Sequence, residues 1–138
     1  MSGNRIFSKI FFKTGIFIVI LMIAMTGCDK YAAKVSGTYS GILENYWLGT
    51  SEEYTITLKK SGNYTITVSG ELFYSGKYEV SDDVPNVYFW ILLYDDDYDD
   101  NKSIGVCSFK NESDLNRRLN LYIYKGYYYG SNGDLYKK

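Results

Sequence analysis

From Gly37 onward the chain alternates apolar and polar residues in short runs, the period of a strand with one face buried. Tyr54, Ile56 and Leu58 alternate with Thr55, Thr57 and Lys59. After Ser61-Gly62-Asn63, Tyr64, Ile66 and Val68 alternate with Thr65 and Thr67. Two such runs about a Gly-containing turn predict a hairpin. Leu72, Tyr74, Tyr78 and Val80 carry the same face onward, with Gly76 in line and Lys77 and Glu79 opposite. The Ser81 to Asn86 stretch (SDDVPN) predicts a turn. Val87 to Tyr94 (VYFWILLY) is apolar on both faces, which predicts a strand covered on both sides or one with a partly apolar exterior. Ile104 to Phe109, Leu119 to Tyr124 and a last run ending Leu135-Tyr136 follow. With Gly37 to Trp47 as the first, about eight short strands are expected. No segment keeps a helical period. Only Asp114 to Arg118 has room for one helical turn, and Asp29 to Ser36 (DKYAAKVS) reads as a short tether.

Short sequential strands must hide their edges, and the residues are too few for a large sandwich. The expected fold class is therefore all-β: a small antiparallel up-and-down β-barrel over residues 37–138, with a small β-sandwich as the alternative. The layout resembles bacterial lipocalin-like lipoproteins. Gly37-Thr38-Tyr39 stands where lipocalins open their first strand with Gly-x-Trp, and Gly76-Lys77-Tyr78 recurs in a similar role. That resemblance implies a barrel around a cavity or an apolar core. It carries over no ligand residues.

The N-terminus has a different pattern. Arg5, Lys9 and Lys13 lie among apolar and small residues, followed by an uncharged apolar run of 11 residues, Gly15 to Met25. A spanning helix needs about 20, so the run has the length of a signal-peptide core. Met25-Thr26-Gly27-Cys28 resembles the bacterial lipobox, with Met25 where that family prefers Leu. The resemblance implies cleavage between Gly27 and Cys28. It also implies a covalent diacylglycerol and an N-acyl lipid on Cys28. The expected division is then a cleaved signal at 1–27, a lipidated N-terminus and tether at 28–36, and the β-domain beyond. Each buried CH₂ contributes about 0.8 kcal/mol, so two or three acyl chains hold the protein to a bilayer. The expected location is the bacterial cell envelope, with the membrane and leaflet open.

Charge and composition narrow the partners. Residues 28–138 hold 12 Lys and Arg against 16 Asp and Glu, a formal charge of −4, which argues against nucleic acid. All 16 tyrosines fall in this part, and with the Thr, Ile and Val they favour strands. The chain has no histidine, which removes the commonest general base, the usual catalytic triad and most zinc sites. With Cys28 acylated, Cys107 is left as a lone thiol in an apolar strand, a small hydrophobe by expectation.

Two clusters remain as candidate chemistry. Asp95, Asp97 and Asp99 alternate as in a calcium loop, and Asn101 stands at the seventh place. The sixth place has Asp100 where the loop needs Gly, and the twelfth has Val106 where it needs Glu. A solvated acidic hairpin tip is the expected meaning, with weak calcium binding as the alternative. Tyr122, Tyr124, Tyr127, Tyr128 and Tyr129 suit either sugar stacking or cross-strand packing, and packing is favoured. No nucleophile motif accompanies the Ser and Thr residues, so no enzyme and no resident cofactor are expected. The reading is a monomeric, membrane-anchored binding module of lipocalin-like type for a small apolar or amphipathic ligand. The alternative is a structural or protein-contact envelope lipoprotein with a filled core. Interior volume separates the two.

Overall fold

The computed structural model describes residues 30–96 and 102–138. The signal and lipobox positions, Gly27 and Cys28 among them, lie outside the described residues, as do Asp97, Asp99 and Asn101. Eight antiparallel strands follow in chain order and close into an up-and-down barrel: β1 Gly37–Asn45, β2 Thr50–Leu58, β3 Asn63–Val68, β4 Glu71–Ser81, β5 Phe89–Asp95, β6 Ser103–Phe109, β7 Arg118–Ile123 and β8 Ser131–Lys137. Closure is made by β1 against β8, with Tyr39 opposite Lys137 and Asn45 opposite Ser131. The alternation read from the sequence is the alternation of inside and outside. Tyr54, Ile56 and Leu58 face in on β2, and Tyr64, Ile66 and Val68 face in on β3. The hairpin between them turns at Gly62, whose φ of 88° lies in the left-handed region.

The inside is filled with side chains. Tyr39, Tyr54, Tyr64, Ile66, Ile91, Leu93, Phe109, Leu121 and their neighbours form one buried cluster, with Cys107 fully buried among them. Tyr39 meets Phe109 edge-on at 5.8 Å between ring centres. An eight-stranded barrel is just wide enough for such filling. So narrow a barrel requires tight curvature, and inward-facing glycines mark where the strands come together. A Cβ on Gly41 would lie 2.8 Å from the Asp134 carbonyl oxygen, and one on Gly76 would overlap the carbonyl of Tyr94.

Three local features differ from the sequence reading. The stretch expected as a tether is helical from Lys30 to Val35 (α1), and Ala32 and Val35, one turn apart, sit in the core. Tyr31 meets the Phe89 ring at 5.5 Å and its hydroxyl donates to Asp82, 2.9 Å away. The compact unit accordingly begins at Tyr31. Leu72 does not share the face of Tyr74. The β3–β4 register shifts at Ile66/Thr67, Phe73 becomes the extra residue of a bulge, and Leu72 turns outward to 61% exposure. The single helical turn expected at 114–118 is a 3₁₀ turn at Glu112–Asp114, with Arg118 paired to Asp114 at 3.4 Å.

Burial raises the pKa of the inward tyrosines and so opposes their ionisation. Tyr54 is pushed up to about 12 by burial, with the Ser131 hydrogen bond working the other way. Tyr64 is raised further, and its hydroxyl has no hydrogen-bond partner among the described residues. Tyr39 is raised by burial against the lowering effect of the Asn116 backbone. A folded-state pKa above the unfolded value of 10.0 adds stability in full below pH 10, and that stability is lost as pH rises through the folded values. Alkaline titration followed by tyrosinate absorbance and circular dichroism should show a delayed tyrosine phase that coincides with loss of β-structure above pH 10. Ionisation of all 16 tyrosines in one step near pH 10, with the barrel intact, would contradict the packed interior.

Candidate functional site

Up-and-down topology sends alternate connections to opposite ends. The β2–β3, β4–β5 and β6–β7 connections share one end with α1. The β1–β2, β3–β4, β5–β6 and β7–β8 connections fall at the other end, where aromatic residues of the first, second and last of these crowd together. Tyr46, Trp47 and Leu48 are exposed at 85%, 66% and 40%, and Leu72, Phe73, Tyr127 and Tyr129 are exposed beside them.

This rim is held by a buried polar network. Asn45, the last residue of β1, faces inward and is 2% exposed. Its side-chain amide donates to the carbonyls of Tyr128 (3.2 Å) and Tyr129 (3.0 Å) and to Ser131 Oγ (2.9 Å). Its side-chain oxygen accepts from the Leu48 backbone N–H at 2.8 Å. Tyr54 and Ser131 share a hydrogen bond of 2.7 Å. Tyr74 donates to the Lys125 carbonyl at 3.3 Å and accepts from the Tyr128 N–H at 3.1 Å. One asparagine thereby ties the 46–49 turn to the 124–130 loop, 83 residues away along the chain. Fully paired buried networks fix a single arrangement.

Above this network, Trp47 stacks obliquely with Tyr129 at 6.0 Å and meets Tyr46 edge-on at 5.5 Å. The indole rests on Gly130, whose φ of 89° is left-handed and whose missing Cβ leaves room for the ring. A cleft of about 510 Å³ opens beside Tyr46, lined by Glu44, Thr50, Ser51 and Asn132. A second cleft, about 420 Å³, lies on the wall of β6–β8 among Ser108, Lys110, Asp114, Arg118 and Asn120. Both open outward.

The residues singled out in the sequence are divided by this geometry. Asp95 ends β5 facing inward at 5% exposure and pairs with Gly76, so the alternate-acid pattern begins inside the wall and not at a solvated tip. The tyrosine run also splits. Tyr127 and Tyr129 are on the rim, Tyr128 is buried against Tyr54 and Phe73, and Tyr122 and Tyr124 face out along the wall 5.9 Å apart. Burial raises the Tyr128 pKa, with Glu52 adding to it. Burial likewise pushes the Cys107 thiol up, consistent with an inert core residue. Tyr46 and Trp47, expected to end the first strand, instead form a turn tip with Leu48 beyond Asn45. The signal of that tip was three large apolar residues directly before a glycine, where a hairpin tip is normally polar. The apolar exterior expected of β5 is present, with Trp90, Leu92 and Tyr94 half-buried on the outside.

Set against family models, curated proteins and solved structures, the chain matches none of them.

Asn45→Ala removes four side-chain hydrogen bonds, among them the acceptor of the Leu48 backbone N–H. At about 1 kcal/mol for each bond, a loss of about 2–4 kcal/mol is expected in urea unfolding. Hydrogen exchange at Leu48 should accelerate selectively. Unchanged exchange there would show that the rim is held by something else.

Proposed function

We propose that this chain is a cell-envelope lipoprotein, anchored through acylated Cys28, whose β-barrel is a non-enzymatic scaffold that binds through its outer surface. The observation that carries the reading is the interior. Tyr39, Tyr54 and Tyr64 fill the space that a lipocalin-like protein would leave for a ligand, and the clefts open outward. The filled-core alternative is therefore preferred over an apolar ligand held inside. The absence of histidine and of any nucleophile motif favours binding over catalysis. The anchor reading is supported by the Met25-Thr26-Gly27-Cys28 motif behind a short apolar run. The chain enters the barrel at the α1 end, and the aromatic rim lies at the other end.

Mass spectrometry of the N-terminus should find a triacylated or diacylated Cys28 as the first residue. Globomycin, or the Cys28→Ser variant, should leave the full-length precursor. A mature chain beginning elsewhere, or an unmodified Cys28, would overturn the anchored reading.

A further inference from the structure

We propose that the cleft beside the Tyr46–Trp47–Tyr129 cluster binds a neutral glycan chain, a proposal that rests on the surface-binding reading above. The inference comes from two kinds of surface meeting at one place. The first is a set of exposed rings held in position. Trp47 is 66% exposed, yet its indole is seated on Gly130, stacked with Tyr129 and carried on a turn pinned by Asn45. Its exposure leaves ring surface open to solvent. Such a platform suits the C–H face of a pyranose, whose slightly positive hydrogens lie against the negative face of an aromatic quadrupole.

The second is a row of short polar side chains in the cleft, which Tyr46 and Gly130, both in contact with Trp47, also line. Ser51, Glu44 and Asn132 are direct neighbours across β2, β1 and β8, all pointing outward, and Thr50 completes the lining beside them. Hydroxyl, carboxylate and carboxamide groups supply both donors and acceptors for vicinal sugar hydroxyls. The cleft volume of about 510 Å³ lies within the range of small-ligand sites, about 300–1,000 Å³. Charge decides which sugars fit. The lining holds Glu44 and no lysine or arginine, so an anionic polysaccharide or a phosphorylated glycan is disfavoured. An apolar ligand is disfavoured as well, because it would strip water from these polar groups without replacing their hydrogen bonds.

The rival cleft on the β6–β8 wall lacks this pairing. It mixes Lys110 and Arg118 with Asp114 and Asp134, and Asp114 is paired with Arg118.

The test uses the full-length protein in detergent micelles, titrated with N-acetylglucosamine tetramer, cellotetraose, maltotetraose and, as an anionic comparison, tetragalacturonate. Calorimetry and tryptophan fluorescence provide the readouts. At least one neutral tetrasaccharide should bind with a Kd of about 1 mM or tighter, and tetragalacturonate should bind more weakly. Trp47→Ala should weaken binding about tenfold or more, and Asn132→Ala severalfold. Trp90→Phe, on the opposite part of the wall, should leave affinity unchanged and assign the fluorescence change to Trp47. Thermal melts of each variant separate lost binding from lost folding. The proposal is overturned if no neutral sugar binds up to about 10 mM, if binding survives both Trp47→Ala and Asn132→Ala, or if the anion binds best. It is also overturned if the rim instead self-associates, seen as concentration-dependent sedimentation abolished by Trp47→Ala. Failure of the surface-binding reading looks different: an apolar ligand would then enter the barrel and perturb core residues such as Leu121 and Cys107. Failure of the glycan inference alone leaves the core unperturbed and every sugar unbound.

Discussion

Curvature is the constraint on which this structure depends. Eight strands of six to eleven residues close on themselves only if neighbouring backbones come together at inward positions. Gly41, Gly76, Gly105 and Gly133 each stand where a Cβ would press on the next strand. Two bulges, at Ile66/Thr67 and at Leu93/Tyr94, add the remaining bend. Once closed this tightly, the barrel encloses a space that tyrosine, isoleucine and leucine side chains occupy. Closure removes the sheet edges, and the inward side chains occupy the interior.

The two ends are finished by different physics. At one end α1 presses Ala32 and Val35 into the core and the Tyr31 ring against Phe89, an apolar plug. At the other end the core gives way to polar groups, and Asn45, Tyr54, Tyr74 and Ser131 pair with one another and with loop backbone. That pairing lets two loops carry exposed aromatic residues in fixed positions. Phe73 and Tyr127 also pack on Tyr128 of the core, whereas Tyr46 and Trp47 meet edge-on at the surface. The rim rings are placed on that network beside polar side chains from three strands.

Much of the fold could be read in the sequence because alternation is a local signal. Tyr54-Ile56-Leu58 and Tyr64-Ile66-Val68 determine their own inward face, and about eight such runs in 102 residues favour closure over an open sheet. Features that depend on distant partners were not readable. Ala32 and Val35 are too few to show a helical period, and only the barrel end they cover makes them a plug. Leu72 continues the apparent alternation, yet a bulge set by pairing with β3 turns it outward. Asp95 reads as part of an acidic loop because charge runs usually do, whereas strand β5 continues one residue further and carries it inside. The rim was hidden for a similar reason. Tyr46-Trp47-Leu48 and Tyr127-Tyr128-Tyr129 are far apart in the chain, and Asn45 gives no sign of the bonds that join them.

Binding at the outer surface requires that the barrel interior be closed to ligands. Methyl and amide NMR spectra of the protein, recorded with and without excess of a medium-chain fatty acid, address this directly. A filled core predicts that the signals of Ile56, Ile66, Ile91, Leu93 and Leu121 stay in place while any changes are confined to surface residues. Saturable shifts across those inward residues at equal stoichiometry would mean that the tyrosines make way for a ligand, and would contradict the account.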